Sequence, residues 1–149
     1  MSEDSQTEIA DRLSRRRALV MPLLALVFLS GQAIYALGRV EPGSMIDGAK
    51  VAAWVAWALA LLALLAMGGG TFRGRAIRKL MDDESSRANR NKAYAVGFWL
   101  AMGTTITIYA LTAFDTIAPR ESLHVIVTIT VAGALVTFGY LERRDHLGG

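Results

Sequence analysis

Four stretches of this chain, 18–38, 51–72, 93–114 and 122–141, contain no Lys, Arg, Asp or Glu. A helix that crosses the hydrocarbon core of a bilayer needs about 20 mostly apolar residues, and each stretch has that length. Backbone polar groups inside lipid must be satisfied within the segment, so segments of this kind are helices. The sequence therefore predicts an all-α fold, a polytopic membrane four-helix bundle. The connections between the first and second and between the third and fourth stretches are short and hold Pro42-Gly43 and Pro119. Such turns can only return the chain, so two helical hairpins are expected.

Charge sets the expected orientation. Of the 16 basic residues, four lie just before the first span (Arg12, Arg15, Arg16, Arg17), seven between the second and third (Arg73, Arg75, Arg78, Lys79, Arg87, Arg90, Lys92) and two after the fourth (Arg143, Arg144). Only Arg39, Lys50 and Arg120 remain for the other side. Basic residues near span ends favour the cytoplasmic side. The expected order is a cytoplasmic tail 1–17, a transmembrane domain 18–141 with a cytoplasmic segment 73–92, and a cytoplasmic tail 142–149, N-in and C-in, in a bacterial inner membrane. The apolar run after Arg17 is too long for a signal-peptide core and lacks a small-x-small cleavage site, so it reads as a retained first helix. The acidic residues 1–11 read as a solvated, fraying tail.

The net charge of +3 is modest, and its basic residues flank apolar helices where anionic headgroups attract them, so the lipid bilayer rather than nucleic acid is the expected partner. There is no cysteine, hence no disulfide, thiol nucleophile or thiolate metal site. Ionisable side chains inside a span usually mark proton relays or ion paths. Here His124, at the edge of the fourth span, stands alone and reads as interfacial, while His146 is expected at the opposite end. No nucleophile, base and orienting group stand at a recognisable spacing, so no enzymatic activity and no cofactor are expected.

Polar uncharged residues within the spans admit two readings. Thr105 and Thr130, with their neighbouring threonines, either line a polar path or bond the preceding turn of their own helix, and packing is the favoured reading. Gln32 is the exception, because an amide in the bilayer interior needs a partner. Gln32, Thr105 and Thr130 are thus the candidates for a polar intramembrane site. Small residues recur at helical spacing, Ala52, Ala56, Ala60 and Ala63, then Gly97 and Ala101, then Gly133 and Thr137. Stripes of this kind mark helix contacts, within the bundle or in a homo-oligomer. Ile34-Tyr35-Ala36-Leu37 recurs as Ile108-Tyr109-Ala110-Leu111, with an acidic residue four positions later in each case. Duplication and chance are both open for so short a match.

Gly68-Gly69-Gly70 reads as a helix C-cap, and Asp82-Asp83-Glu84 as an acidic helix start, with Asp83 four residues before Arg87. Consecutive carboxylates on a helix diverge, so the triplet is a poor metal site. The third helix is expected to begin near Asp83 and run unbroken into the membrane, presenting its first turns to the cytoplasm.

The segment Leu80-Met81-Asp82-Asp83-Glu84-Ser85-Ser86-Arg87-Ala88-Asn89-Arg90-Asn91-Lys92-Ala93, with Gly97-Phe98-Trp99 beyond it, resembles small uncharacterised four-helix bacterial inner-membrane proteins. The likeness covers the second half of the chain. Such proteins are often encoded beside a cytoplasmic DNA-binding regulator, which some related membrane partners hold inactive. The resemblance implies a non-enzymatic protein that binds and restrains a cytoplasmic regulator through Asp83, Glu84, Arg87 and Arg90. The alternative is a subunit of a small oligomeric transporter or channel.

Overall fold

A computed structural model of the chain describes residues 3–37, 45–68 and 84–147, with side chains described at 12, 15–32, 45–68 and 84–145. The described residues form four long helices, α1 (Glu3–Leu37), α2 (Met45–Ala66), α3 (Glu84–Leu111) and α4 (Pro119–Leu147). By length and composition α2, α3 and most of α4 can each cross a membrane. The uncharged stretch 18–37 lies inside α1.

The helix ends follow from local chemistry. Gly68 takes φ +62°, and its N–H reaches the Leu65 carbonyl at 3.0 Å, so α2 closes with a left-handed cap and ends before the expected residue 72. At the end of α3 the last turns tighten: the N–H groups of Ala113 and Phe114 bond the carbonyls of Ala110 and Leu111, three residues back. The helix stops at Leu111 rather than 114, and the Asp115 carboxylate accepts the N–H of Thr116 at 2.7 Å in the turn that follows. Pro119 opens α4 from the first helical position, where its missing N–H costs nothing.

One expectation about the tails is corrected. Residues 3–17 are not frayed but continue α1 without a break. No Gly or Pro interrupts them, and Glu8 with Arg12 and Asp11 with Arg15 have the four-residue spacing that supports a helix. In the expected tail 142–149 the helix α4 continues as far as Leu147.

The core is built around α4. Its Val131, Ala132, Ala134, Leu135 and Phe138 are buried, together with Met21, Ala25 and Phe28 of α1, Ala58, Leu61 and Leu65 of α2, and Ala93 of α3. Both α1 and α3 lie along α4, and α2 meets it over a smaller surface. Close approach is allowed by glycine. A Cβ on Gly139 would stand 2.5 Å from the Pro22 ring of α1, and one on Gly133 would stand 2.1 Å from Leu100 Cδ1 of α3. Gly97 of α3 faces Ala134 and Thr130 in the same seam. These contacts make α1 and α3 antiparallel to α4, whereas Asp47 to Arg120 and Trp54 to His124 make α2 parallel to it. The outward faces carry large apolar side chains, among them Leu19, Leu23, Leu26, Leu59, Phe98 and Ile106. Surfaces apolar on every side are those of helices solvated by lipid.

Candidate functional site

Polar side chains gather at the two ends of the bundle. At one end the start of the apolar part of α1, the cap of α2, the first turns of α3 and the last turns of α4 converge on Arg17. Its guanidinium forms an ion pair with Glu142, both side chains being about 5% exposed or less. Nη1 of Arg17 also donates to the Gly68 carbonyl at 2.7 Å, where the C-terminal end of α2 concentrates negative potential. The Phe138 ring lies 5.4 Å from the guanidinium carbon, within range of a cation–π contact. A pair so buried is strongly destabilised if one member is removed, because the other charge is left without compensation.

The first turns of α3 complete this junction. Asn89 donates to Asp145 at 2.7 Å and, more weakly, to Glu142 at 3.4 Å, while Ser85 donates to Asp145 at 2.7 Å. Asp145 lies beyond the uncharged stretch of α4, and the hydrogen bonds from Asn89 and then Ser85 hold its carboxyl below the usual carboxylate range. Gly68 is required here twice over, by its positive φ and by the Arg90 Nη1 that would stand 3.1 Å from an added Cβ.

The residues singled out by sequence fall in different places. Asp83 lies outside the described residues. Glu84 and Arg87 are exposed on the first turns of α3, whereas Arg90 is half-buried with its guanidinium against Gly68. The first turns of α3 are therefore not a free projection: Ser86 and Asn89 are buried on the side facing α4, leaving one charged face outside. Thr105 donates to Ala101 O at 2.7 Å and Thr130 to Ile126 O at 2.7 Å, each within its own helix. Thr105 is exposed on α3, and Thr130 faces Gly97. Gln32 donates Nε2 to Phe28 O at 3.1 Å. Of the small-residue stripes, Gly97 and Gly133 lie in the α3–α4 seam, while Ala52, Ala56, Ala60 and Ala63 are exposed on α2.

At the opposite end Arg120 and Asp47 form a two-pronged ion pair, 2.8 and 2.7 Å, joining the starts of α4 and α2. One turn inward the Trp54 and His124 rings stack at 4.4 Å with planes 24° apart. Val51, Trp54, Arg120, Leu123 and His124 line a cleft of about 360 Å³ beside this pair. Among the described residues no group of three or more His, Asp or Glu is placed to hold a metal ion.

Sequence reading assigns no role to Glu142 or Asn89 beyond a tail and the start of the third helix, singles out nothing at Trp54, and treats Arg17 as one of four like charges. Their one available signal is that both Arg17 and Glu142 directly abut an uncharged stretch, where a charge must either reach water or find a partner. Comparison with family profiles, curated proteins and solved structures found no match to this chain.

Proposed function

We propose that this chain is a non-enzymatic, four-span membrane protein of the bacterial inner membrane that binds and restrains a soluble cytoplasmic regulator. In this reading the helices form two hairpins, both termini and the segment 73–92 face the cytoplasm, and the thirteen-to-three partition of basic residues sets that orientation. The Arg17 junction is then the cytoplasmic end of the bundle.

The observation that carries the proposal is the fastening of the start of α3. Glu84 and Arg87 are exposed, yet the turns that bear them are tied to α4 through Ser85, Asn89, Glu142 and Asp145. A charged ledge held in one conformation binds a partner without the cost of ordering a loop. Asp83, which precedes Glu84 in the sequence, is assigned to the same partner-binding surface by its charge alone. Arg90 serves it indirectly, by packing on Gly68. The hydroxyls of Thr105 and Thr130, each turned back onto its own helix, also favour this reading over a threonine-lined path.

The second reading, an oligomeric transporter or channel subunit, draws on the exposed alanine stripe of α2, which would let another subunit approach closely. Co-purification from detergent-solubilised membranes separates the two. Glu84→Arg combined with Arg87→Glu is expected to abolish capture of the soluble partner while membrane levels stay unchanged, and Thr105→Val is expected to be silent. Loss of a solute flux in Thr105→Val, with no soluble protein captured by the wild type, would transfer the assignment to transport.

A further inference from the structure

The cleft between α2 and α4 changes in chemistry along its length. Arg120 stands at its mouth, paired with Asp47, and Val51, Leu123, Trp54 and His124 form its walls. Arg120 and Asp47 lie outside the uncharged stretches 51–72 and 122–141, whereas the four wall residues lie within them. With α2 and α4 across a bilayer, the ion pair is therefore at headgroup depth and the walls are at the top of the hydrocarbon. Counted along the helices, Trp54 is about 10 Å deeper than Asp47, and His124 about 6 Å deeper than Arg120. One side of the cleft is open to lipid, since Leu123 lines it and is nevertheless 63% exposed. The Trp54 and His124 rings at its deep end stack on each other and hold its shape. Its volume, about 360 Å³, is that of a small-molecule site.

Apolar walls open to lipid at this depth take an acyl chain, and the mouth then selects the headgroup above it. The charged side chains described at this end are Lys50 and Arg120 against Asp47, Asp115 and Glu121, so no excess of positive charge draws an anionic lipid. The Arg120–Asp47 pair is instead a fixed dipole. Asp47 takes two of the five N–H groups of a guanidinium whose side chain is 47% exposed, and such a group can share a phosphate oxygen with a carboxylate. The Asp47 carboxylate accepts in about four directions and is 13% exposed, so an ammonium can reach it beside Arg120. A head that carries both a phosphate and a primary ammonium lies antiparallel to this dipole. A quaternary ammonium has no N–H to donate, and a phosphoglycerol head has no positive charge to offer. We propose that the α2–α4 cleft binds one chain of a phospholipid with a zwitterionic, primary-ammonium head, the phosphatidylethanolamine class, with its phosphate at Arg120 and its ammonium at Asp47. The site rests on α2 and α4 spanning the membrane, and on neither the orientation nor the soluble partner proposed above.

The test uses the full chain with Trp57→Phe and Trp99→Phe, which leaves Trp54 as the sole indole, in vesicles of unlabelled phosphatidylcholine. Into these is mixed phosphatidylethanolamine, phosphatidylcholine or phosphatidylglycerol brominated in the upper part of its chains, where bromine quenches a nearby indole. A second protein with only Trp99, which is exposed on α3, reports the lipid that surrounds the molecule at large. Quenching of Trp54 is expected to reach its half-maximum at about a tenfold lower mole fraction of brominated phosphatidylethanolamine than of the other two lipids, while Trp99 responds to all three alike. Asp47→Asn combined with Arg120→Gln should remove the preference at Trp54, and Leu123→Trp, which fills the cleft, should weaken quenching by all three. Equal action of the three lipids on Trp54 would mean boundary lipid only and would overturn the proposal, and that comparison leaves the residues of the site unchanged. A preference for phosphatidylglycerol would overturn it as well, as would relief of quenching by glycerophosphoethanolamine, which has the head without the chains.

Discussion

Arg17 holds three helices to one another through Nη1 and Nη2, so its removal is felt beyond a single contact. Arg17→Met or Glu142→Met alone leaves a buried unpaired charge and is expected to lower stability by about 3–5 kcal/mol, whereas the double replacement recovers most of that loss. A double-mutant cycle read by denaturant unfolding in detergent checks it, and additive single losses would remove the pair from its role. Asp145 gives a prediction in pH. Its carboxyl is held below the usual range when folded, so the stabilisation it contributes is complete above its unfolded pKa and is lost as pH falls through the lower folded value. The difference in Tm between the wild type and Asp145→Ala should therefore shrink on acidification below the ordinary carboxylate range and be constant from there to neutrality. A gap that stays constant on acidification would show that the charge on Asp145 contributes nothing.

Helix contacts repeat the same logic with glycine in place of charge. At Gly133 an added methyl meets the free end of Leu100, which can change rotamer, but at Gly139 it meets the Pro22 ring and the Ala18 carbonyl, neither of which can turn away. Gly139→Ala is therefore expected to destabilise by about 1–3 kcal/mol and Gly133→Ala by less, measured by the same unfolding assay. The existence of the helices was legible in the sequence because runs without charge have one physical reading in lipid. The cap at Gly68 and a helix already formed at Glu84 were legible from turn and dipole chemistry. Which face of each helix turns inward was not, since α2 and the apolar part of α3 are hydrophobic on all sides and periodicity then carries no phase. The Arg17–Glu142 pair spans 125 residues of sequence and joins two charge runs that each look solvated.

At the scale of the whole molecule, the contacts at its two ends make the helices alternate in direction, so the start of α1, the end of α2, the start of α3 and the end of α4 share one end of the bundle. The proposed orientation places that end in the cytoplasm. Because the chain has no cysteine, single cysteines can report it without background. Met45→Cys and Thr116→Cys, both exposed at the Arg120 end, should react with an impermeant thiol reagent added to intact cells, and Ala88→Cys should react only after the membrane is opened. Labelling of Ala88→Cys in intact cells would reverse the orientation and with it the proposed partner surface.

The central place of α4 bears on the order in which the molecule comes into being. Synthesis proceeds from the N-terminus at about 5–20 residues per second, so α1, α2 and α3 wait about 1.5–6 s for the 29 residues of α4. During that interval Arg17 has no Glu142, Asn89 has no acceptor, and the glycine seam on α3 has nothing to close against. A nascent chain stopped before Pro119 would insert its segments yet join them only through Arg17 and Arg90 at Gly68, exposed to membrane proteases until the last helix arrives to gather them.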